Sequence, residues 1–211
     1  TNLDQQDGYG EDAFSLQAAE LIKQKIGRED IDVHFLTGGT QTNLTAISAF
    51  LRPHEAAISA NTGHVLVHET GAIEATGHKV ISVDSSNGKL TAEQVRVVVT
   101  GHGDEHMVKP RLVYLSQPTE VGTIYSRLEM EQISRACREL GLWLFVDGAR
   151  LGSALCAAGN DLTLPVLAEL VDAFYIGGTK NGALLGEALV IRAEGLKADF
   201  RYHMKQKGAL L

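Results

Sequence analysis

The stretch Asp172-Ala173-Phe174-Tyr175-Ile176-Gly177-Gly178-Thr179-Lys180-Asn181-Gly182 is an apolar, strand-like run that ends among small residues and one lysine. A charged amine that is buried at a strand end costs free energy unless it has a partner, which favours a functional role for this lysine. An isolated lysine at a strand end can also reach the solvent along its own methylene chain. Lys180 by itself therefore leaves a functional and a structural interpretation open.

A second strand-like run, Leu142-Trp143-Leu144-Phe145-Val146-Asp147-Gly148-Ala149-Arg150, ends in a carboxylate that is followed by a tight Gly-Ala turn. Asp147 and Lys180 thus place one acid and one amine after two separate apolar runs. In pyridoxal phosphate chemistry a lysine forms a Schiff base with the cofactor aldehyde, and an aspartate keeps the pyridine nitrogen protonated. The pair predicts a site for pyridoxal phosphate.

Short apolar runs recur along the chain and alternate with helical patterns. About seven strands are predicted, near residues 33–36, 56–60, 80–83, 112–116, 143–147, 173–177 and 188–191. The predicted helices cover residues 12–26, 40–51, 63–76, 91–99, 127–140 and 193–206. Strands separated by helices need crossover connections, which predicts a three-layer α/β fold with a mostly parallel sheet and helices on both faces. Ligands of such sheets bind beyond the carboxyl ends of the strands, where Asp147 and Lys180 are both expected.

The segment Leu36-Thr37-Gly38-Gly39-Thr40-Gln41-Thr42-Asn43 has the pattern of a strand that turns into a helix. Glycines allow close approach to the backbone, and free N–H groups at a helix start together with the Thr40 hydroxyl could hold a phosphate. A plain turn with a helix cap is an equally good interpretation of this segment alone. Asp147 and Lys180 favour the phosphate.

His64 and Arg150 are two further candidates. An imidazole at His64 could stack on a cofactor ring and act as acid or base, because its pKa lies near neutrality. A solvated histidine at a helix start is the alternative. Arg150 could bind a substrate carboxylate in bidentate geometry, or it could pair with a neighbouring acid.

Composition sets few limits on function. The formal net charge is -7 and the isoelectric point about 5.6, so electrostatics give no reason to expect nucleic acid or an anionic membrane as partner. No apolar run is long enough to span a bilayer. The two cysteines, Cys137 and Cys156, lack metal spacing and indicate a reducing, cytoplasmic setting. No metal site is predicted, and one domain is favoured.

Six segments of the chain, taken in order, resemble threonine aldolases in the β-eliminating-lyase group of fold-type I pyridoxal phosphate enzymes. They are Tyr9-Gly10-Glu11-Asp12, Gly38-Gly39-Thr40, Gly63-His64, Glu69-Thr70-Gly71-Ala72, Asp147-Gly148-Ala149-Arg150 and Thr179-Lys180-Asn181-Gly182. The resemblance covers nearly the whole chain. It departs from the family pattern at Gln117-Pro118-Thr119-Glu120, where many members carry Glu-Asn-Thr-His.

The resemblance implies a role for each candidate residue. Gly39, Thr40 and Thr179 would bind the cofactor phosphate, and His64 would stack on the ring. Asp147 would pair with the pyridine nitrogen, Lys180 would carry the cofactor and Arg150 would bind the substrate carboxylate. His106 matches the place of a second active-site histidine, and the base that takes the β-hydroxyl proton is His64, His106 or an ordered water.

The resemblance also implies an activity, which is retro-aldol cleavage of threonine, allo-threonine and related β-hydroxy-α-amino acids to glycine and an aldehyde. It implies a homodimer or homotetramer. Residues 1–211 would form the cofactor-binding large domain, and an N-terminal segment and a C-terminal small domain are expected beyond its ends. Two rivals stay open, a related aminotransferase or β-eliminating lyase, and a truncated scaffold that binds the cofactor without turnover.

Overall fold

The computed structural model describes residues 5–210. The strands of the described part form one seven-stranded sheet in the order β1-β7-β6-β5-β4-β2-β3. They are β1 Asp32–Leu36, β2 Glu55–Ala60, β3 Val80–Val83, β4 Lys109–Ser116, β5 Trp143–Asp147, β6 Ala173–Gly177 and β7 Glu187–Ile191. All the predicted strands are confirmed.

Strand direction follows the length of the connections. The strands β2 to β6 run parallel to one another, and each crossover between them contains helix. Strand β7 runs antiparallel to both β6 and β1. Only residues 178–186 join β6 to β7, and a connection this short reverses the chain instead of crossing over. The mostly parallel sheet is therefore confirmed, with one reversed strand that periodicity did not predict.

The helices are α1 Ala13–Ile26, α2 Gly39–Phe50, α3 His64–Val67, α4 Ala92–Gly101, α5 Arg127–Leu140, α6 Leu151–Leu155, α7 Leu164–Leu170 and α8 Phe200–Gln206. Local sequence explains several of their ends. The Asp12 carboxylate caps α1, Thr91 and Ser126 form capping boxes at the starts of α4 and α5, and Gly27 and Gly141 end α1 and α5 in the left-handed conformation.

Two predicted helices are broken. In place of a helix over residues 63–76, the four-residue α3 and a 3-10 turn at Glu74–Thr76 flank Thr70 and Gly71, both of which have positive φ. In place of a helix over 193–206, a 3-10 turn at Glu194–Leu196 precedes α8, with Asp199 at φ 58° between them. A positive φ cannot continue a right-handed helix, so each pattern divides there.

Alternate side chains of the strands enter two separate cores, one on each face of the sheet. On β4, Val113 and Leu115 join the core that contains residues of α5 and α7, whereas Leu112 and Tyr114 join the core with residues of α2 and α8. This alternation confirms the three-layer arrangement. Within residues 5–210 no helix is long and apolar enough to cross a membrane.

Candidate active site

One edge of the sheet collects most of the predicted site. The carboxyl ends of β4, β5 and β6 lie side by side, since Ser116 pairs with Asp147 and β6 follows β5 in the sheet. The end of β1 reaches the same edge, because Leu36 and Gly177 both pair with Glu187 at the start of β7. The turn of Lys180 and the start of α2 therefore lie at the edge that carries Asp147, as predicted.

Asp147 is a buried carboxylate that accepts four protein hydrogen bonds. Its Oδ1 accepts from the Ala149 amide at 3.0 Å and from the Tyr175 hydroxyl, and its Oδ2 accepts from Asn43 Nδ2 at 2.9 Å and from the Tyr114 hydroxyl. Burial, and then the negative charge of Asp147, raise the pKa of both tyrosines, so their hydroxyls remain donors. Such donors offset the cost of burying the side chain of Asp147.

The turn after Asp147 packs directly on strand β6. A Cβ on Gly148 would lie 1.8 Å from the carbonyl oxygen of Tyr175, and one on Gly177 would lie 2.1 Å from that of Ala149. The Gly177 amide also donates to the Gly148 carbonyl at 2.9 Å. The two glycines therefore let the strand end that carries Asp147 touch the strand that leads to Lys180.

His64 is joined to Asp147 through two buried side chains. Its Nδ1 lies 2.7 Å from Glu69 Oε1, the same oxygen accepts from Asn43 Nδ2 at 2.7 Å, and Asn43 Nδ2 also donates to Asp147. The hydrogen bond to Glu69 raises the pKa of His64, with burial opposing and the charges of Asp147 and Lys180 acting in opposite directions. The predicted histidine thus belongs to the site, although its packing against a cofactor ring stays a prediction.

Glu120 contacts the start of α3. Its Oε1 accepts from the His64 backbone amide at 2.9 Å and from the Ser116 hydroxyl at 2.6 Å. Glu120 belongs to the segment that departs from the threonine aldolase pattern, and it orients His64 from the end of β4. Sequence reasoning assigned no role to Glu120, Glu69, Asn43 or either tyrosine of the Asp147 site. The one available signal was the occurrence of polar side chains within otherwise apolar segments.

Helix α2 begins beside this group with Gly39 as its first residue and Gly38 as an extended cap. The first amides of a helix have no partner inside the helix, so those of Gly39 and Thr40 can receive an anion. A Cβ on Gly39 would lie 3.1 Å from the Tyr175 hydroxyl, which places the helix start against the donors around Asp147. The phosphate interpretation of this segment remains a prediction, and the geometry fits it.

Lys180 lies exposed in the turn between β6 and β7. Asn181 fixes this turn by donating from Nδ2 to the Gly177 carbonyl at 2.8 Å and to the Ala149 carbonyl at 3.2 Å. Thr179 Oγ1 accepts from the Gly186 amide at 3.1 Å. Burial raises the pKa of Glu187, and the ammonium charge of Lys180 opposes this rise.

The other two candidates differ in position. Arg150 is exposed at the start of α6, three residues after Asp147, where it can reach a ligand. His106 is exposed in the loop before β4, and Ser116 is the last of the eight residues of that strand. At about 3.3 Å per residue, this strand puts His106 roughly 20 Å or more from the edge that carries Asp147. The structure therefore does not bring His106 to this edge of the sheet, because the residue precedes strand β4 and Ser116 ends it.

The ligand atoms of His64, Glu69 and Asp147 lie within 4.8 Å of one another, a spacing at which such groups could hold a metal ion. The amide of Asn43 donates to both carboxylates from between them. Pyridoxal phosphate matches the wider site better. It needs an anion cradle, an acid for its ring nitrogen and an amine, and α2, Asp147 and Lys180 provide these at one sheet edge.

Comparison with known proteins agrees with this geometry. The family described as Beta-eliminating lyase matches residues 2–210. A low specificity L-threonine aldolase of Pseudomonas sp. (strain NCIMB 10558) is 37% identical over 96% of this chain and 59% of its own length. The corresponding enzyme of Saccharomyces cerevisiae is 30% identical over 96% of this chain and 52% of its own.

Among solved structures, the threonine aldolase of Leishmania major is 52% identical and superposes with a TM-score of 0.98. The match covers 100% of this chain and 61% of that protein. The chain thus spans about three fifths of the length of its closely matching relatives. The similarity confirms the predicted fold class, and the family's dependence on pyridoxal phosphate confirms the predicted cofactor. Sequence, fold and site geometry together show that the chain belongs to the beta-eliminating lyase family.

Proposed function

We propose that residues 1–211 form the pyridoxal phosphate-binding large domain of a carbon-carbon lyase that cleaves threonine, allo-threonine and related β-hydroxy-α-amino acids. The products are glycine and an aldehyde. The observation that carries this proposal is the position of Asp147, Lys180 and the start of α2 at one sheet edge, in a chain that is 52% identical to a threonine aldolase. A cytoplasmic location and assembly into a homodimer or homotetramer are part of the proposal.

Three groups of the chain would hold the cofactor. Lys180 supplies the amine that bonds the cofactor aldehyde, and Gly39, Thr40 and Thr179 bind its phosphate. Asp147, which four hydrogen-bond donors fix in place, would hold a proton on the ring nitrogen. When bound, pyridoxal phosphate supplies an electron-poor ring that takes up the electron pair of the broken bond.

The remaining residues act on the amino acid. Arg150 binds the substrate carboxylate with its two parallel N–H groups. The β-hydroxyl loses its proton as the Cα–Cβ bond breaks and the aldehyde carbonyl forms, and a proton then returns to Cα to give glycine. Nε2 of His64 accepts the hydroxyl proton either directly or through an ordered water. That nitrogen has no hydrogen-bond partner within the described residues, so it is free to do so.

The cofactor assay comes first. Purified protein is mixed with pyridoxal phosphate, its visible absorption spectrum is recorded, and the adduct is reduced with borohydride and mapped by peptide mass spectrometry. Label on Lys180, lost in Lys180→Ala and retained in Lys109→Ala, supports the site. Lys109 is a matched control because it is an exposed lysine at the opposite end of the sheet. A folded protein without the absorption band, or with label elsewhere, would refute the assignment of Lys180.

The second assay identifies the reaction. Release of acetaldehyde and glycine from added threonine supports the aldolase. Pyridoxamine phosphate with a keto acid would identify an aminotransferase, and a keto acid with ammonia would identify a β-eliminating lyase. Cofactor on Lys180 without turnover of any amino acid would leave the scaffold interpretation.

A further inference from the structure

Glu69 is a carboxylate in an unusual setting. Its side chain is 0% exposed, and no lysine or arginine pairs with it among residues 5–210. Both protein contacts converge on Oε1, with His64 Nδ1 and Asn43 Nδ2 each at 2.7 Å. Burying an acid without a permanent cation is costly, so a role in packing alone does not account for it.

The contact with Glu69 determines where His64 carries its proton. An ionised carboxylate can only accept hydrogen bonds, so Nδ1 must be the protonated nitrogen of the imidazole. In the neutral ring the lone pair then lies on Nε2. A histidine without such a partner carries its proton on either nitrogen, and one of the two forms has no basic Nε2.

Asn43 holds this acid in place. It is fully buried in α2, and its Nδ2 donates to Glu69 at 2.7 Å and to Asp147 at 2.9 Å. The positions of the two carboxylates are therefore linked through one amide. A donor that is itself buried and bonds to the same oxygen keeps that oxygen in place beside the imidazole.

We propose that Glu69 is a positioning residue that holds the proton of His64 on Nδ1 and leaves Nε2 basic for the substrate, and that Asn43 anchors Glu69 to Asp147. This inference rests on the proposed function only for the step in which His64 accepts a proton. The orientation of His64 itself depends on the contacts alone.

Several charged or titratable groups face His64, and the test must separate them from Glu69. Asp147 raises the pKa of His64 and Lys180 lowers it, both through their charge. Glu120 accepts the His64 backbone amide, and the ring of His68 lies 5.4 Å away, centroid to centroid. Only Glu69 contacts a ring nitrogen among these groups.

The first measurement uses the whole 211-residue chain without substitutions. Nitrogen-15 NMR of histidine side chains distinguishes the two neutral forms of the ring, with His64→Gln used to assign the signals. Nδ1–H as the neutral form of His64 supports the proposal. A neutral ring that carries its proton on Nε2 overturns it, whether or not any variant folds.

The second measurement removes the charge of Glu69. In Glu69→Gln we expect the pKa of His64 to fall by about one unit or more, because an opposite charge in contact is lost. Glu74→Gln is the matched control, since Glu74 is an exposed acid of the same segment, and it leaves the pKa unchanged. Asn43→Ala keeps the Glu69 side chain but removes the donor that holds it. The neutral ring of His64 should then become a mixture of the Nδ1–H and Nε2–H forms. An equal pKa of His64 in the wild-type protein and in Glu69→Gln would count against the proposal.

The third measurement follows activity. The acid limb of kcat/KM for threonine moves to lower pH in Glu69→Gln, because a base of lower pKa is neutral at lower pH. Failure here is distinguishable from failure of the proposed function, which is tested by the label on Lys180. A cofactor-free protein with Nδ1–H on His64 supports Glu69 even without aldolase activity, whereas an active enzyme with Nε2–H refutes Glu69 alone.

Discussion

Replacement of Gly148 by alanine tests whether the contact between β5 and β6 sets the site. Gly148 follows Asp147, and a Cβ added to it would lie 1.8 Å from the Tyr175 carbonyl oxygen and 3.0 Å from Leu151 Cβ. Ordinary contacts of a Cβ begin near 3.4 Å, so the backbone of one strand end must move by about 1.6 Å. Both partners of the closest contact are fixed by the backbone, so a change of side-chain rotamer cannot relieve it.

The free-energy cost follows from overpacking. Extra atoms in a packed core cost about 1–3 kcal/mol, and we expect the upper end because a strand must shift. For a chain of this size each kcal/mol lowers Tm by roughly 2–4 °C, so Gly148→Ala should melt about 6–12 °C below wild type. The shift also displaces Asp147 from the strand that leads to Lys180, which weakens cofactor binding.

The assay is thermal unfolding followed by circular dichroism, together with titration of the cofactor absorption band. Gly101→Ala is the control, because a Cβ on Gly101 would meet no described atom within 4 Å and alanine favours the end of α4. Its Tm should equal or exceed that of wild type. A Gly148→Ala protein that melts with wild type and binds the cofactor equally well would show that the two strand ends do not need close contact.

Other predictions concern the groups around the site and the half-buried His34. Tyr114→Phe and Tyr175→Phe each remove a donor to buried Asp147 and should lower the free energy of unfolding, measured in urea, by about 1.5–3 kcal/mol. A decrease below about 0.5 kcal/mol, roughly the scatter of surface substitutions, would show that the donor is dispensable. Arg150→Lys should change stability by less than about 0.5 kcal/mol, because Arg150 is exposed, yet raise KM for threonine through loss of bidentate binding. Burial lowers the pKa of His34 from 6.5 to about 4, so the unfolded chain takes up a proton first and stability is lost as pH falls from 6.5 towards 4. At about 1.36 kcal/mol per unit, this amounts to roughly 3 kcal/mol, and His34→Gln should flatten that limb of the unfolding free energy against pH.

The sequence alone allowed the layered fold to be predicted because its signals are local. Alternation of apolar strands with helices depends on residues a few positions apart, and all seven strands were found from it. Breaks in regular structure were missed where single residues adopt positive φ, as at Thr70 and Asp199. A β-branched residue such as Thr70 rarely adopts this conformation, so its residue type gives no signal for the break. The reversal of β7 likewise required knowing that residues 178–186 form no helix.

Some residues of the candidate site could be predicted from sequence and others could not. Asp147 and Lys180 could be named from sequence because each follows an apolar run, and the rule for parallel sheets places such ends together. His106 was named from a count of ten residues back from Ser116, and the structure places most of strand β4 between the two residues.

Sequence by itself determined the residue types, the order of elements and the edge at which acid and amine meet. Only the tertiary structure decided that Asn43 joins Glu69 to Asp147, that two tyrosines donate to Asp147 and that Glu120 holds the amide of His64. Asn43 and Asp147 are separated by 104 positions in the chain. Hydrogen bonds depend on distance and direction in space, and spacing along the chain carries neither once several elements have packed between the partners.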